Sequence, residues 1–272
     1  MTVAGGIATD KMERLVAGNL AFTLGAIARL PSCRLFSFDE SSFLLATGTK
    51  AASENWAFLP SHSLEKSKIL RARSFFGELD LPFVWPVLPN AGRAYRRALE
   101  EEGLFQQGEL TAMVRTARFL EKTPPPLAFE KAATKEDAAL WAETAWRAFG
   151  SPPGAPASFV NVARELVTEA GFLLTTACRN GVPVGTFMLA SCGLKAGIGV
   201  YYFATLPEER GRGVGSAMMD RILRIASEGT SDFPAPGFVV LQATPAGARF
   251  YASHGFDALF PIPLCSMTRD VF

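Results

Sequence analysis

Residues 210–216 read Arg-Gly-Arg-Gly-Val-Gly-Ser, three alternate glycines between the apolar run 198–206 and a run of helical spacing that starts at Val214. A strand that turns into a helix through such a segment constrains the fold around it, because strand-to-helix turns of this kind belong to sheets packed against helices. The helix N-terminus leaves backbone N–H groups without intrahelical partners and carries partial positive charge. Gly211, Gly213 and Gly215 let the backbone approach an anion without Cβ atoms in the way, and Arg210 and Arg212 can add forked, charged hydrogen bonds. The segment is read as a phosphate cradle that a pyrophosphate engages more fully than a single phosphate.

Two familiar nucleotide turns are excluded. A nucleotide P-loop needs Gly-Lys-Ser/Thr, and no lysine stands between Gly215 and Ser216; a G-x-G-x-x-G fingerprint counted from Gly211 meets Ser216 at its sixth position. With 27 Lys and Arg against 26 Asp and Glu, the net charge is +1, so no general field draws in nucleic acid or anionic lipid, and neither partner is expected. Cys33, Cys178, Cys192 and Cys265 are scattered and histidines number two. No metal site is expected, and the cysteines are read as reduced core thiols. Residues 1–10 lack a basic segment followed by an apolar run, and no apolar stretch reaches about 18 residues. The expected location is a soluble, reducing compartment, most simply the cytoplasm.

A chain of 272 residues, 49% apolar and 19% charged, can hold two ordinary domains. The run Thr123-Pro124-Pro125-Pro126 can join neither a helix nor a central ladder, so the boundary is set there: an N-terminal α/β domain over 1–123 and a second domain over 127–272. In the first, the pattern predicts a helix over 10–30, a hairpin of strands 34–38 and 43–46, and a helix capped by Ser63 running to Gly77. An edge strand over 82–88, a helix over 91–102 closed by Gly103, and a strand over 111–116 follow. In the second, a strand over 127–132 precedes helices from 134 and over 157–170. Asn180-Gly181 marks a hairpin between 172–178 and 183–191. After the strand 198–206 and the cradle come a helix to Gly229, a strand over 238–242, and a helix from Pro245 to Gly255. Two last strands are expected, over 258–262 and 264–268. This order predicts an α/β fold with a mixed sheet covered by helices.

The two halves end alike. Residues 83–103 followed by 113–115, and 238–255 followed by 267–269, each read strand, proline, helix, glycine, strand. With the helix-end glycines aligned, Leu99 stands where the second copy has Tyr251. Either two α/β domains share a common pattern, or an old duplication kept one working copy. Nothing in 1–123 resembles the cradle, so a cofactor site belongs to the second half.

Residues 203–216 resemble the acyl-coenzyme A signature of the GNAT superfamily of N-acetyltransferases: a strand, a proline, then Arg/Gln-x-x-Gly-x-Gly/Ala, here Arg210 through Gly215. Tyr251-Ala252-Ser253-His254-Gly255-Phe256 resembles that family's second signature, a tyrosine four residues before Gly-Phe. The resemblance covers about 127–272 and would make the first half a degenerate GNAT-like copy if the duplication reading holds. It implies a GNAT fold with acetyl-coenzyme A as co-substrate. The pantetheine arm would lie along the backbone of Phe203, Ala204 and Thr205. The pyrophosphate would meet N–H groups of Gly211, Arg212, Gly213, Val214, Gly215 and Ser216, with Arg210 at the motif's first position. Tyr251 would protonate the departing thiolate, a role that suits a phenol near developing negative charge.

The chain also departs from the family's pattern. Thr244 stands where asparagine is frequent, and neither 199–206 nor 238–243 contains a carboxylate, so no general base is assigned. Glu208 and Glu209 are read as solvated loop charges and His254 as a helix-end side chain. The expected activity is an N-acetyltransferase that moves acetyl to a primary amine, on a small molecule or peptide, by direct attack in a ternary complex. The first half would shape the acceptor pocket, with Tyr201, Tyr202, Phe203 and Trp85 as candidate lining. The alternative is a non-catalytic acyl-CoA-binding or regulatory protein that shares the turn.

Overall fold

The computed structural model describes residues 2–3, 7–117, 127–191, 193, 197–230, 233, 235, 237–269 and 271, with side chains from Lys11 onward. The proline run 123–126 and Cys192 lie outside the described residues. The first half comprises β1 (Thr2–Val3), β2 (Ile7–Ala8), α1 (Thr9–Ala28), β3 (Arg34–Ser37), β4 (Phe43–Ala46), a 3-10 turn (Ala52–Glu54), β5 (Asn55–Phe58), α2 (Lys66–Glu78), β6 (Trp85–Pro86), α3 (Arg93–Glu101) and β7 (Phe105–Thr116). The second comprises β8 (Ala128–Lys131), α4 (Lys135–Ala148), α5 (Ala157–Leu166), β9 (Phe172–Arg179), β10 (Val182–Ala190), β11 (Ile198–Thr205), a 3-10 turn (Pro207–Glu209), α6 (Val214–Glu228), β12 (Phe238–Ala243), α7 (Pro245–Ser253) and β13 (Asp257–Ser266).

Eight strands form one mixed sheet in the order β6-β13-β7-β12-β11-β10-β9-β8, and β3-β4-β5 form a smaller one. The two are joined. Trp56 bridges Val84 in parallel, and Ala57 and Val84 donate to the carbonyls of Val84 and Asn55 at 2.9 Å. The pairing is arranged about a centre between β13 and β7. On one side, antiparallel β3-β4-β5 meets the segment leading into β6 in parallel; on the other, antiparallel β9-β10-β11 meets β12 in parallel. Each half then gives its last strand to the other: β7 pairs with β12 and β13 with β6, while β7 and β13 pair with each other.

This exchange corrects the expected end of the chain. The two strands expected over 258–262 and 264–268 are one strand, β13, whose register shifts near Ala258 and Leu264. The place beside β12 is filled by β7, which starts at Phe105 and not at 111. The expected edge strand 82–88 shortens to Trp85–Pro86, which pairs with β13, with the single bridge of Val84 to Trp56 on its other side. Helix α2 begins at Lys66 with Glu65, not Ser63, at the cap, and α5 stops at Leu166. β5 was not predicted.

Helix α1 crosses the chain's division. Its face of Met12, Val16, Leu20, Leu24 and Ile27 is buried with Val114 of β7, Val240 of β12 and Trp141 of α4. Asn19, fully buried, donates Nδ2–H to the Ala190 carbonyl at 2.9 Å. A Cβ on Gly199 would stand 1.8 Å from Asn19 Oδ1, so the glycine is what lets α1 lie on β11. The opposite face of the sheet is covered by α6, where Met218, Ile222 and Leu223 pack on Val239 and Leu241. Trp85 belongs to the first half's own core, fully buried with its Nε1–H donated to Tyr95 Oη at 2.8 Å. This candidate for the acceptor lining is thus a core residue. No described helix is long and apolar enough to cross a membrane.

Candidate active site

The site is an opening in the middle of the sheet. β11 and β12 pair only through Ile198–Val239, Gly199–Val240 and Val200–Leu241. From Tyr201 to Thr205, β11 keeps β10 on one side and has no strand on the other among the described residues, and these five residues are part-exposed although the strand is central. Such an edge presents backbone donors and acceptors to whatever enters. The register with β10 shifts between Thr186 and Met188, so Phe187 faces both Tyr202 and Phe203. Tyr202 has φ 47°, uncommon for a residue with a side chain. Bulges of this kind redirect side chains: Phe203 packs with the α6 cluster and Tyr202 with the α1 and α4 cluster.

β11 runs through the turn Pro207–Glu209 into the cradle. Gly211 (φ 74°) and Gly213 (φ 77°) adopt the left-handed backbone that favours glycine. A Cβ on Gly211 would meet nothing within 4 Å, whereas one on Gly215 would stand 3.2 Å from the Phe250 ring. The first glycine leaves room for a ligand; the last brings α6 against α7. Ala217 N–H donates to Gly213 at 3.0 Å, which leaves the N–H groups of Val214, Gly215 and Ser216 without helical acceptors.

The arginines are more committed than their sequence suggests. Arg210 donates to the carbonyls of Ala148 (3.0 Å) and Thr205 (3.3 Å), tying the turn to the end of α4. Arg212 pairs with Glu209 at 3.3 Å, and Glu209 also pairs with Arg179 from β9. Glu209, its side chain 18% exposed, is a brace and not the solvated loop charge expected, because the β9–β10 hairpin brings Arg179 beneath it. Glu208 keeps an exposed pair with Arg147 at 3.2 Å. The backbone N–H groups are thus the cradle's main free donors.

Helix α7 closes the other side. Thr244 caps it, accepting from Gly247 N–H at 3.3 Å, and Arg115 of β7 donates to the His254 carbonyl at its far end. The Tyr251 ring packs against Phe203 (5.8 Å between centroids), Phe250 (5.4 Å) and Phe256 (5.7 Å). Burial holds its phenol well above the usual tyrosine range, so it stays protonated at working pH, the form a donor needs. His254 Nδ1 lies 2.8 Å from the Phe250 carbonyl and therefore carries hydrogen, while Nε2 and Ser216 Oγ are hydrogen-bonded at 3.2 Å. This helix-end histidine couples the tyrosine's helix to the cradle.

Two polar residues here were missed by sequence reasoning. Gln242 follows the last β11–β12 pair, and its buried Nε2 has no partner among the described residues; the signal available was one amide in the otherwise apolar strand Phe-Val-Val-Leu-Gln-Ala. Glu54, from the first half, accepts a hydrogen bond from Tyr202 Oη at 2.8 Å. Burial raises its carboxyl to about 7, with the Tyr202 bond pulling the other way. No sequence signal links residues 148 positions apart.

The family model for the acetyltransferase (GNAT) domain matches residues 170–258. Over those residues the chain is similar to a GNAT domain. No curated protein sequence matches it. Among solved structures, a GCN5-related N-acetyltransferase from Kribbella flavida is 15% identical, covering 92% of this chain and 95% of its own at a TM-score of 0.64. One from Sphaerobacter thermophilus is 13% identical, covering 96% and 93% at 0.56. A tandem GNAT protein from the clavulanic acid biosynthesis pathway is 13% identical, covering 96% of each chain at 0.55. At these identities the likeness is one of fold.

The segment that matches the family model gathers most of the expected residues around one opening. Phe203 touches Tyr251, Gly215 faces Phe250, and Ser216 bonds His254, so β11, the cradle and α7 meet. Ala204 and Thr205 continue the open edge. Arg210 and Arg212 stand at the turn but spend hydrogen bonds within the protein.

Proposed function

We propose that the protein is an N-acetyltransferase that carries acetyl from acetyl-coenzyme A to a primary amine by direct attack with both substrates bound. The observation that carries this reading is the parting of β11 from β12 after Val200 and Leu241, with neutral Tyr251 beside the open edge. The residues fit the donor. Backbone groups of Phe203, Ala204 and Thr205 would hold the pantetheine arm, the N–H groups from Gly211 to Ser216 would hold the pyrophosphate, and Gln242 Nε2 would donate to a carbonyl oxygen of the bound donor. Acetyl-coenzyme A supplies the activated acyl group. Tyr251 would give its proton to the sulfur as the carbon–sulfur bond breaks.

The exchanged strands and matching strand order support a second part of the reading: the halves descend from a duplicated unit, and only the second kept a donor site. The corresponding segment of the first half, 59–65, contains no glycine. The first half would then shape the acceptor side.

Thiol release from acetyl-coenzyme A, measured with and without a panel of primary amines, tests the reading. Amine-dependent release with stoichiometric acetyl-amine is expected. Tight donor binding without transfer to any amine would favour an acyl-CoA-binding role instead.

A further inference from the structure

The carboxylate absent from β11 and β12 stands on the first half of the chain. Glu54 bonds Tyr202, and the next residue, Phe203, packs on Tyr251. Tyr202 and Phe203 belong to clusters on opposite faces of the sheet, and the open edge of β11 lies between those faces. Glu54 and Tyr251 therefore lie on opposite faces of β11 where its open edge begins. Glu54 is enclosed without being sealed, since the residue is part-exposed.

The groups that face it bring no cation. They are Tyr202 from β11 and the Cys33 thiol beyond α1, itself pushed up to about 12 by burial and also within the field of Glu165. No Lys, Arg or His among the described residues pairs with Glu54. A buried carboxylate without a counter-charge ionises at a cost that an entering cation would relieve. Of the rings packed around Tyr202, Trp141 and Phe159 are buried while Phe149, 6.4 Å away, is exposed, and an exposed aromatic face attracts ammonium groups.

We propose that Glu54, delivered by the first half, takes the proton from the acceptor's ammonium group, with Tyr202 as its positioning partner. This rests on the acetyl-transfer reading above. The ammonium N–H bond breaks and its proton passes to Glu54. The freed lone pair forms the nitrogen–carbon bond as the carbon–sulfur bond breaks. Tyr251 protonates the sulfur and regains the proton that the new amide nitrogen sheds, and Glu54 releases its proton to solvent.

The test is the pH dependence of kcat/KM with acetyl-coenzyme A and four probe amines: 2-phenylethylamine, tryptamine, spermidine and lysine. Wild type should show a rising limb near pH 7, well below that of a free amine at about 10. Glu54→Gln should lose the limb and about 100-fold in rate at pH 7, recovering toward pH 10, with acetyl-coenzyme A affinity unchanged. Glu54→Asp should keep the limb. Tyr202→Phe should move it upward, because the lost bond favours the ionised carboxylate; a merely structural tyrosine would leave the limb in place. A Glu54→Gln protein with the wild-type rate and limb overturns the assignment alone. Wild type that acetylates none of the four overturns both this and the acetyl-transfer reading. If Glu54→Gln loses donor affinity through misfolding, Glu54→Asp and Tyr202→Phe decide: a limb unmoved in both overturns the proposal.

Discussion

At the scale of single residues, Glu54 should leave a thermodynamic signature independent of any substrate. Its carboxyl stands near 7 in the folded protein against 4.5 in the open chain, so the folded state holds the proton more tightly. The stability this contributes is fully present below 4.5 and is lost as pH rises to 7, by up to about 3 kcal/mol. Glu54→Gln has no such proton to lose. Urea denaturation of both proteins should show their stability difference swinging toward the variant across that window, and a pH-independent difference would refute the burial argument. Gln242 makes a prediction of opposing signs. Gln242→Leu removes an unpaired buried donor and should stabilise the fold by about 1 kcal/mol, while acetyl-coenzyme A binds about fivefold more weakly; calorimetry and a thermal melt read both. The cradle segment and Tyr251 stand out in the sequence because their spacing is local. Glu209 was misread because Arg179, its partner, arrives from another strand, and Glu54 was invisible because its bond from Tyr202 exists only after the two halves pack.

At the scale of elements, the helices followed from their periodicity, while the strands suffered where polarity or proline broke their pattern. Near the start of β7, Gln106, Gln107 and Gly108 look like loop, yet β13 pairs with Gln106 and Gly108 across a register shift at Gln107. Pro261 and Pro263 divide β13 in sequence, although β7 holds it together in space. β5 was missed because its brief Asn-Trp-Ala-Phe run does not alternate. The contact between α1 and β11 is equally specific. Gly199→Ala would drive a methyl into Asn19 Oδ1 and should cost about 2–4 kcal/mol. Asn19→Ala in the same chain should restore part of it, a coupling that a double-mutant cycle measures. Additive losses would mean that the two residues do not meet.

At the scale of the whole molecule, the proline run divides the sequence while the sheet and the α1 core cross it. Residues 127–272 alone would leave β12 and β13 unpaired where β7 lies between them, and would expose the sheet face that α1 covers. Open apolar edges of that length aggregate. The isolated second half should therefore be insoluble or molten, and co-expression with residues 1–123 should rescue it; a folded, monomeric 127–272 by circular dichroism and sedimentation would contradict the exchange. The internal echo in the sequence hinted at two like units, but no residue pattern announced that they trade their final strands. The same exchange puts Arg115 of the first half at the end of Tyr251's helix.

The central claim is that acetyl transfer occurs at the parting of β11 from β12, with Tyr251 as proton donor. Steady-state turnover of wild type and Tyr251→Phe, with acetyl-coenzyme A affinity measured on the same preparations, tests it most directly. Turnover should fall about 100-fold with affinity held within about twofold. Equal turnover in the two proteins would contradict the assignment.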